Sequence, residues 1–592
     1  MPGSQSSDIQ DALPGYTLDL DYVPDFMADT LLEHFPHALH PDSEIAHHNI
    51  FREILMMRVM NTITDKPEWE KKVFDEEIVS KWRTEISQSG MDVSPTMMDN
   101  IIKELQWKAG LFPKDQFVTA FDIGVVKSDS AVPADLQQAL KDAVAPLEDV
   151  PEEQKDYHPG SDEKVVDLVH PSLFPLVYGR TRILPEGTIG LDDCIGSIGL
   201  GDVLRIPEEP STATHDFGLE FQPYSTKFQW LPCDVQFEGD DAESRCRIVS
   251  YINNLHPTQH RPLYGVLERI IGCAIPLWNR TLTGSKNTSP RMQFDRVRYH
   301  EHPDPEPQWE DRENFDDDEY RRRRDVWQST QRVILPEPKA FQPPEIDPEL
   351  EINLRNAFGA ARLQVIVKLA NIELTPEKPE YAGGSWHIEG QMNERICATA
   401  IYYYDSANIT ESSLAFRQRA DVEGMYEIRY EQDRHDFLQK VYGFDPDTTG
   451  RGSTLVTQDL GSVVCREGRL LTFPNILQHR VAPFALADRS KAGHRKILAL
   501  FLVDPHRRVI STANVPPQRE DWGREKRELV QGMLAERLPV ELQQMVGEKV
   551  SDPLISMDEA KRFRLELMEE RSAKSEAQNE SFQTGDFSLC EH

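Results

Sequence analysis

The chain has 592 residues, 65 basic and 100 acidic, for a formal charge of −35, and 39% of it is hydrophobic. It is too long for one ordinary domain and apolar enough to bury real cores. The acidic balance argues against nucleic acid or an anionic membrane as partner, because such affinity comes from basic side chains neutralising phosphates. Seven scattered cysteines with no C-x-x-C pair predict no disulfide framework and no cysteine-zinc site, and fit a reducing compartment. The first residues lack the basic and apolar stretches of a secretory signal. The longest apolar run, Ile497 to Val503, is far too short for a membrane span. A cytoplasmic location is expected, with the nucleus as alternative.

Residues 1–20 are polar and read as a flexible N-terminus. Residues 21–335 read as a mixed, largely helical region. Ile54, Leu55, Met56, Met57, Val59 and Met60 crowd one helix, and Ile101, Ile102, Leu105 and Trp107 follow at helical spacing. A helix and an acidic loop are expected over 128–165, and mixed short elements over 165–278. Five histidines, His34, His37, His40, His47 and His48, read as a histidine-rich loop. The glycines of Gly196 to Gly201 miss the dinucleotide-binding spacing and read as a loop. Asp316–Glu319 running into Arg321–Arg324 reads as a self-neutralising solvated face rather than an import signal. Crowded prolines over 336–354 mark a boundary, since proline suits neither helix interiors nor central strands. Residues 355–515 then read as strands: 363–373, 396–404, 425–430, 462–465, 469–473 and 496–503. Charged helices are expected over 519–548 and 557–573, within a C-terminal region 516–592. The fold class is α+β.

The chemistry concentrates in the β region. His387 and Glu389 stand at i and i+2, so on a strand their side chains share one face. His479 lies 90 residues beyond Glu389. Two histidines and a carboxylate can form a facial triad that leaves coordination positions open on Fe(II). Arg495 opens the apolar strand 496–503, where a guanidinium can grip a carboxylate with two parallel hydrogen bonds. Residues 451–515 carry ten basic residues against four acidic ones, so this segment is locally positive and suits a dicarboxylate. Cys397 and Cys465 read as small core residues. His256, in Asn253-Asn254-Leu255-His256-Pro257, either contacts a substrate or orders a turn.

The order H-x-E, distant His, then Arg before a strand resembles the Fe(II)/2-oxoglutarate dioxygenases of the double-stranded β-helix (jelly-roll) fold. The segment Arg395 to Asp405 (RICATAIYYYD) is similar to the strand after H-x-D in prolyl-hydroxylase-like members. The segments Ser250 to Pro257, Gly384 to Gly390 and Tyr402-Tyr403-Tyr404 resemble a fungal family described only as a domain of unknown function, over most of the chain.

The resemblance implies a jelly-roll oxygenase core over 355–515 with His387, Glu389 and His479 as iron ligands. It implies Arg495 on the distal carboxylate of 2-oxoglutarate, Tyr403 beside it, and Thr399 and Lys368 facing the same site. Glu389 departs from the commoner Asp, and Lys491 and His494 are competing candidates for the carboxylate clamp. The implied cofactors are Fe(II), 2-oxoglutarate and O₂, and the implied reaction is hydroxylation of a small-molecule or protein substrate with release of succinate and CO₂. An N-demethylase of the same superfamily and a non-catalytic jelly-roll scaffold are the alternatives.

Overall fold

The computed structural model describes residues 12–22, 34–40, 48–215, 219–239, 245–286, 290–308, 317–345, 347–421, 425, 427–431, 434–444, 454–535 and 554–585. It is a mixed α+β protein with antiparallel sheets. Eight strands of the C-terminal half carry the argument: β1 (Leu363–Leu374), β2 (Glu380–Tyr381), β3 (Ile396–Ala407), β4 (Ser413–Arg419), β5 (Thr457–Val464), β6 (Leu470–Pro474), β7 (Gln478–Val481) and β8 (Gly493–Val503).

The chain passes back and forth between two main sheets, with β4 and β5 following one another in the small one. In the large, nine-stranded sheet β6, β3, β8 and β1 lie side by side in that order. A small sheet runs β5-β4-β7, and β2 pairs with Phe484–Ala485 just after β7. Residues before the proline-rich stretch extend the large sheet at both edges. Val118–Phe121 and Val125–Ser128 continue it beyond β6, while Cys233–Phe237 and Val165–Val169 pair with the two ends of β1.

The large sheet is buried on both faces, which explains why β3 and β8 are nearly continuous apolar runs rather than alternating ones. Ile366, Ile401, Tyr403, Phe473 and Phe501 meet Leu414, Phe416 and Leu460 of the small sheet in one core. On the opposite face Val365, Val367, Ala400, Tyr402, Leu498 and Leu500 meet the helix Arg261–Lys286, whose Trp278 is fully buried. Register fixes the faces: Lys368 and Ile401 both oppose Ala499, and Tyr403 opposes Ile497. Lys368, Ile401, Tyr403, Arg495 and Ala499 therefore turn toward the small sheet.

Several elements differ from the sequence expectation. Among its described residues, 425–430 form no strand: only Arg429 bridges, to Arg296, while Met425 and Ile428 are buried in the core. Their apolar spacing reflects packing rather than a ladder. The loop expected at Gly196 starts inside a short helix, Cys194–Ser197. Arg321–Arg324 lie on the helix Asp317–Thr330, where Arg322 and Arg323 pair with Glu319 one turn away. Residues 34–40 are irregular, and His37 is buried, which pushes its pKa down to about 3 and keeps it neutral. His47, Asp316 and residues 536–553 lie outside the described residues. Among the described residues no helix is long and apolar enough to cross a membrane.

Truncating Trp278 to Ala should cost about 3–5 kcal/mol, because the cavity would sit between a helix and a sheet that cannot both collapse into it. A clear fall in the thermal unfolding midpoint is the expected readout.

Candidate functional site

His387 and His479 form an isolated antiparallel bridge. The His387 N–H donates to the His479 carbonyl at 3.2 Å, and the His479 N–H donates back at 3.0 Å. Residues directly opposite in such a pair project to the same face. The two rings accordingly lie 4.4 Å apart, centroid to centroid. Glu389, two residues on, brings Oε1 to 3.3 Å from His479 Nε2 and 3.8 Å from His387 Nε2. Donor atoms of all three lie within 4.8 Å of one another, close enough to hold one metal ion.

Local chemistry prepares these donors. The His387 Nδ1–H donates to the Ser385 carbonyl at 2.9 Å, which fixes the tautomer and leaves the Nε2 lone pair toward the site. Gly390 turns the chain sharply after Glu389 at φ +72°, where a Cβ would collide with Ile396. Asn475, fully buried, accepts from the Glu389 N–H at 2.9 Å and donates to the carbonyls of Glu389 and Ile396. This clamp holds Glu389 beyond the last backbone bridge. Phe416 opposes His479 across the small sheet, and Phe473 packs against its ring at 4.7 Å.

The site is graded in exposure: the His387 side chain is 39% exposed, Glu389 15% and His479 3%. Although the outer edge of His387 meets solvent, the protein packed around the ring desolvates it. That desolvation, then repulsion from His479, pushes its pKa down to about 4. Burial alone would raise Glu389. Its hydrogen bond with His479 and the positive fields of both histidines and Lys368 outweigh burial and hold it at about 2. An ionised carboxylate beside a neutral imidazole is the protonation state a metal requires of its ligands.

Arg495 is buried at 2% exposure, yet among the described residues it has no carboxylate partner. Its Nη1 donates to Ser412 Oγ at 2.6 Å, the rings of Tyr403 and Phe484 lie at 5.5 and 5.2 Å, and Nε is buried without a partner. The two competing clamps are committed elsewhere: His494 pairs with Asp405 at 3.0 Å, and exposed Lys491 pairs with Asp488 at 3.2 Å. Tyr403 is therefore brought to Arg495. Thr399 is not, because four residues of strand, roughly 13 Å, separate it from Tyr403. Its buried Oγ1, also unpartnered, lies across from Phe473 and Phe501 instead. Lys368 lies within electrostatic reach of His387 and Glu389.

A second group, His158, Asp167 and His170, has comparable spacing. One hydrogen bond, at His170, argues against a metal there. The His158 Nδ1–H donates to Asp167 at 2.8 Å and leaves Nε2 a lone pair, as Ser385 does for His387. His170 Nδ1 accepts the Ser172 N–H at 3.1 Å, so the proton of that neutral ring sits on Nε2, where a metal would need a lone pair. Asp167 and His170 line a cavity of about 560 Å³, and another of about 620 Å³ lies beside Glu53 and Arg291; neither is lined by His387, Glu389 or His479. His256 orders a turn: Nδ1 accepts the N–H groups of Thr258 and Gln259, and Nε2–H donates to Glu525 at 3.0 Å.

Asn475, Ser412 and Ser385 were not legible as site residues. Only the Pro-Asn step before an apolar run hints at Asn475, since a polar residue there must be paired if buried.

A model of the family described as a protein of unknown function (DUF4246) matches residues 95–526, and a model of that family's N-terminal domain matches residues 13–85. The chain belongs to this family. No curated protein matches it. Among solved structures, IDO from Bacillus thuringiensis is 10% identical with a TM-score of 0.15, over 24% of this chain and 46% of that one. The Fe(II)/α-ketoglutarate-dependent dioxygenase TqaL is 14% identical with a TM-score of 0.16, over 28% and 47%. A bsmA homolog from Methylobium petroleophilum is 13% identical with a TM-score of 0.15, over 28% and 57%. The chain thus spans about half the length of each.

If His387, Glu389 and His479 hold the metal, His387→Ala should abolish Mn(II) uptake in calorimetric titration, while His158→Ala should leave stoichiometry and affinity unchanged.

Proposed function

We propose that this chain is a non-haem Fe(II)- and 2-oxoglutarate-dependent oxygenase on a double-stranded β-helix, hydroxylating a substrate C–H with release of succinate and CO₂. One observation carries the reading: besides a two-histidine, one-carboxylate group, the interior holds a buried arginine, Arg495, that pairs with no carboxylate among the described residues. A buried charge without a partner is costly, so such an arginine is retained where an external anion completes it. Strands β6-β3-β8-β1 of the large sheet pack against β5-β4-β7 of the small one, which supports the jelly-roll reading.

His387 Nε2, the Glu389 carboxylate and His479 would hold Fe(II), which when bound supplies O₂ activation coupled to oxidation of the 2-oxo acid. The chain's own residues bind and orient. Ser385 fixes the His387 ring, and Asn475 fixes the Glu389 backbone. Arg495, steadied by Ser412 and flanked by Tyr403, would grip the distal carboxylate. Ser412 stands four residues before Phe416, the partner of His479, so clamp and ligand are separated by roughly 13 Å of strand. Lys368 adds positive charge on the same face, and Phe416 and Phe473 exclude water from the His479 side.

The test is turnover of 2-oxoglutarate to succinate by the iron-loaded protein. Arg495→Met should raise KM for 2-oxoglutarate about hundredfold, the loss of roughly 3 kcal/mol of charge-assisted hydrogen bonding, while Fe(II) affinity stays nearly constant. An unchanged KM would remove Arg495 from the cosubstrate site.

A further inference from the structure

We propose that the C-terminal helix Met557–Gln583, which lies beyond the residues matched by the family model, is part of the metal site, with Asn579 as a positioning residue for both histidines. This rests on the reading of His387, Glu389 and His479 as metal ligands.

The helix starts at Ser556, whose side chain caps it by accepting the Glu559 N–H. Arg564, Leu567, Arg571 and Gln578 recur at helical spacing and turn inward. Three contacts reach the segment that carries His387 and Glu389. Arg571 Nη2 donates to Glu394 Oε1 at 2.5 Å, and this fully buried carboxylate also accepts the N–H groups of Gln391 and Trp230. Gln578 donates to Gln391 Oε1 at 2.9 Å. Asn579 Nδ2 donates to the Trp386 carbonyl at 3.3 Å, while Asn579 Oδ1 accepts from Gln478 Nε2 at 2.6 Å.

Trp386 immediately precedes His387, and Gln478 immediately precedes His479. One side chain therefore ties together the residues before both metal histidines. That tie matters because the backbone supplies little else. His387 meets His479 in a single isolated bridge, and among the described residues the one further backbone bond between the two segments is the Gly384 N–H donating to the Val481 carbonyl. Asn579 is itself well placed to act as a fixed strut. Just beyond it, buried Arg419 donates to the carbonyls of Ser581, Phe582 and Thr584, and Thr584–Gly585 pairs with Thr454–Leu455. Asn579 thus sets the separation of the two imidazoles through backbone neighbours, without touching the metal.

The test is Co(II) titration of the full-length protein, followed by its ligand-field spectrum, for wild type, Asn579→Ala, Gln478→Ala, the double variant, and Glu576→Ala on the exposed face of the same helix. Asn579→Ala should bind Co(II) about tenfold more weakly, the usual scale for losing a group that orients a ligand. Its spectrum should change, while the metal-free unfolding midpoint stays with that of Glu576→Ala. Gln478→Ala, which also removes the bond Gln478 Oε1 accepts from Arg417 Nε at 2.7 Å, should lose at least as much, and the double variant should lose less than the sum of the two, because both break the one tie. Wild-type affinity in Asn579→Ala, additive losses in the double variant, or an equal loss in Glu576→Ala would overturn the inference. A wild-type protein that takes up no Co(II) would overturn the metal reading along with it.

Discussion

The structure turns on one antiparallel backbone bridge. His387 and His479, 92 residues apart in sequence, exchange both of their N–H···O bonds and so must present their imidazoles to the same side. Glu389 then needs only the two-residue period of extended chain and the Asn475 clamp to reach them. Everything around the bridge serves to hold it. The large sheet is buried on both faces and cannot shift register without exposing one of them, and the small sheet is locked to it through Phe416 and Phe473.

Electrostatics completes the site. The chain as a whole carries −35, yet the interior between the sheets offers Arg495, which has no carboxylate partner among the described residues, and Lys368, whose charge reaches Glu389 and Asp167. Neighbouring side chains of β8 are sorted by face. His494 and Lys496, on the outer side of β8, pair with Asp405, while Arg495 between them turns inward to Ser412. Among the described residues, the two His-carboxylate groups that could hold a metal differ in the same local way. Ser385 leaves the His387 Nε2 lone pair toward the site, whereas the Ser172 N–H occupies the Nδ1 lone pair of His170.

What could be read from the sequence follows from which interactions are local. The apolar strand after Arg495 and the helical crowding at Ile54 to Met60 obey the two short periods of secondary structure and appear where the pattern puts them, whereas His387 and Glu389 lie on no strand and only His387 forms an isolated bridge. The segment 425–430 had strand-like composition, but Met425 and Ile428 pack into the core without a neighbouring strand to pair with. Chain-distant pairings were illegible. Cys233–Val235 joins Leu363–Val365 across the proline-rich stretch, so a compositional boundary at 336–354 falls inside a continuous sheet. Asn475 and Ser412 were invisible for the same reason, since a buried polar side chain acquires its meaning from partners that only folding brings near.

The central claim is that one site holds Fe(II) and a 2-oxo acid together. Anaerobic absorption spectroscopy tests it most directly. Adding 2-oxoglutarate to the Fe(II)-loaded protein should produce a visible metal-to-ligand charge-transfer band, absent with Fe(II) alone and absent in His387→Ala. A protein that binds Fe(II) but develops no band with 2-oxoglutarate, or that takes up no Fe(II) at all, would contradict the account.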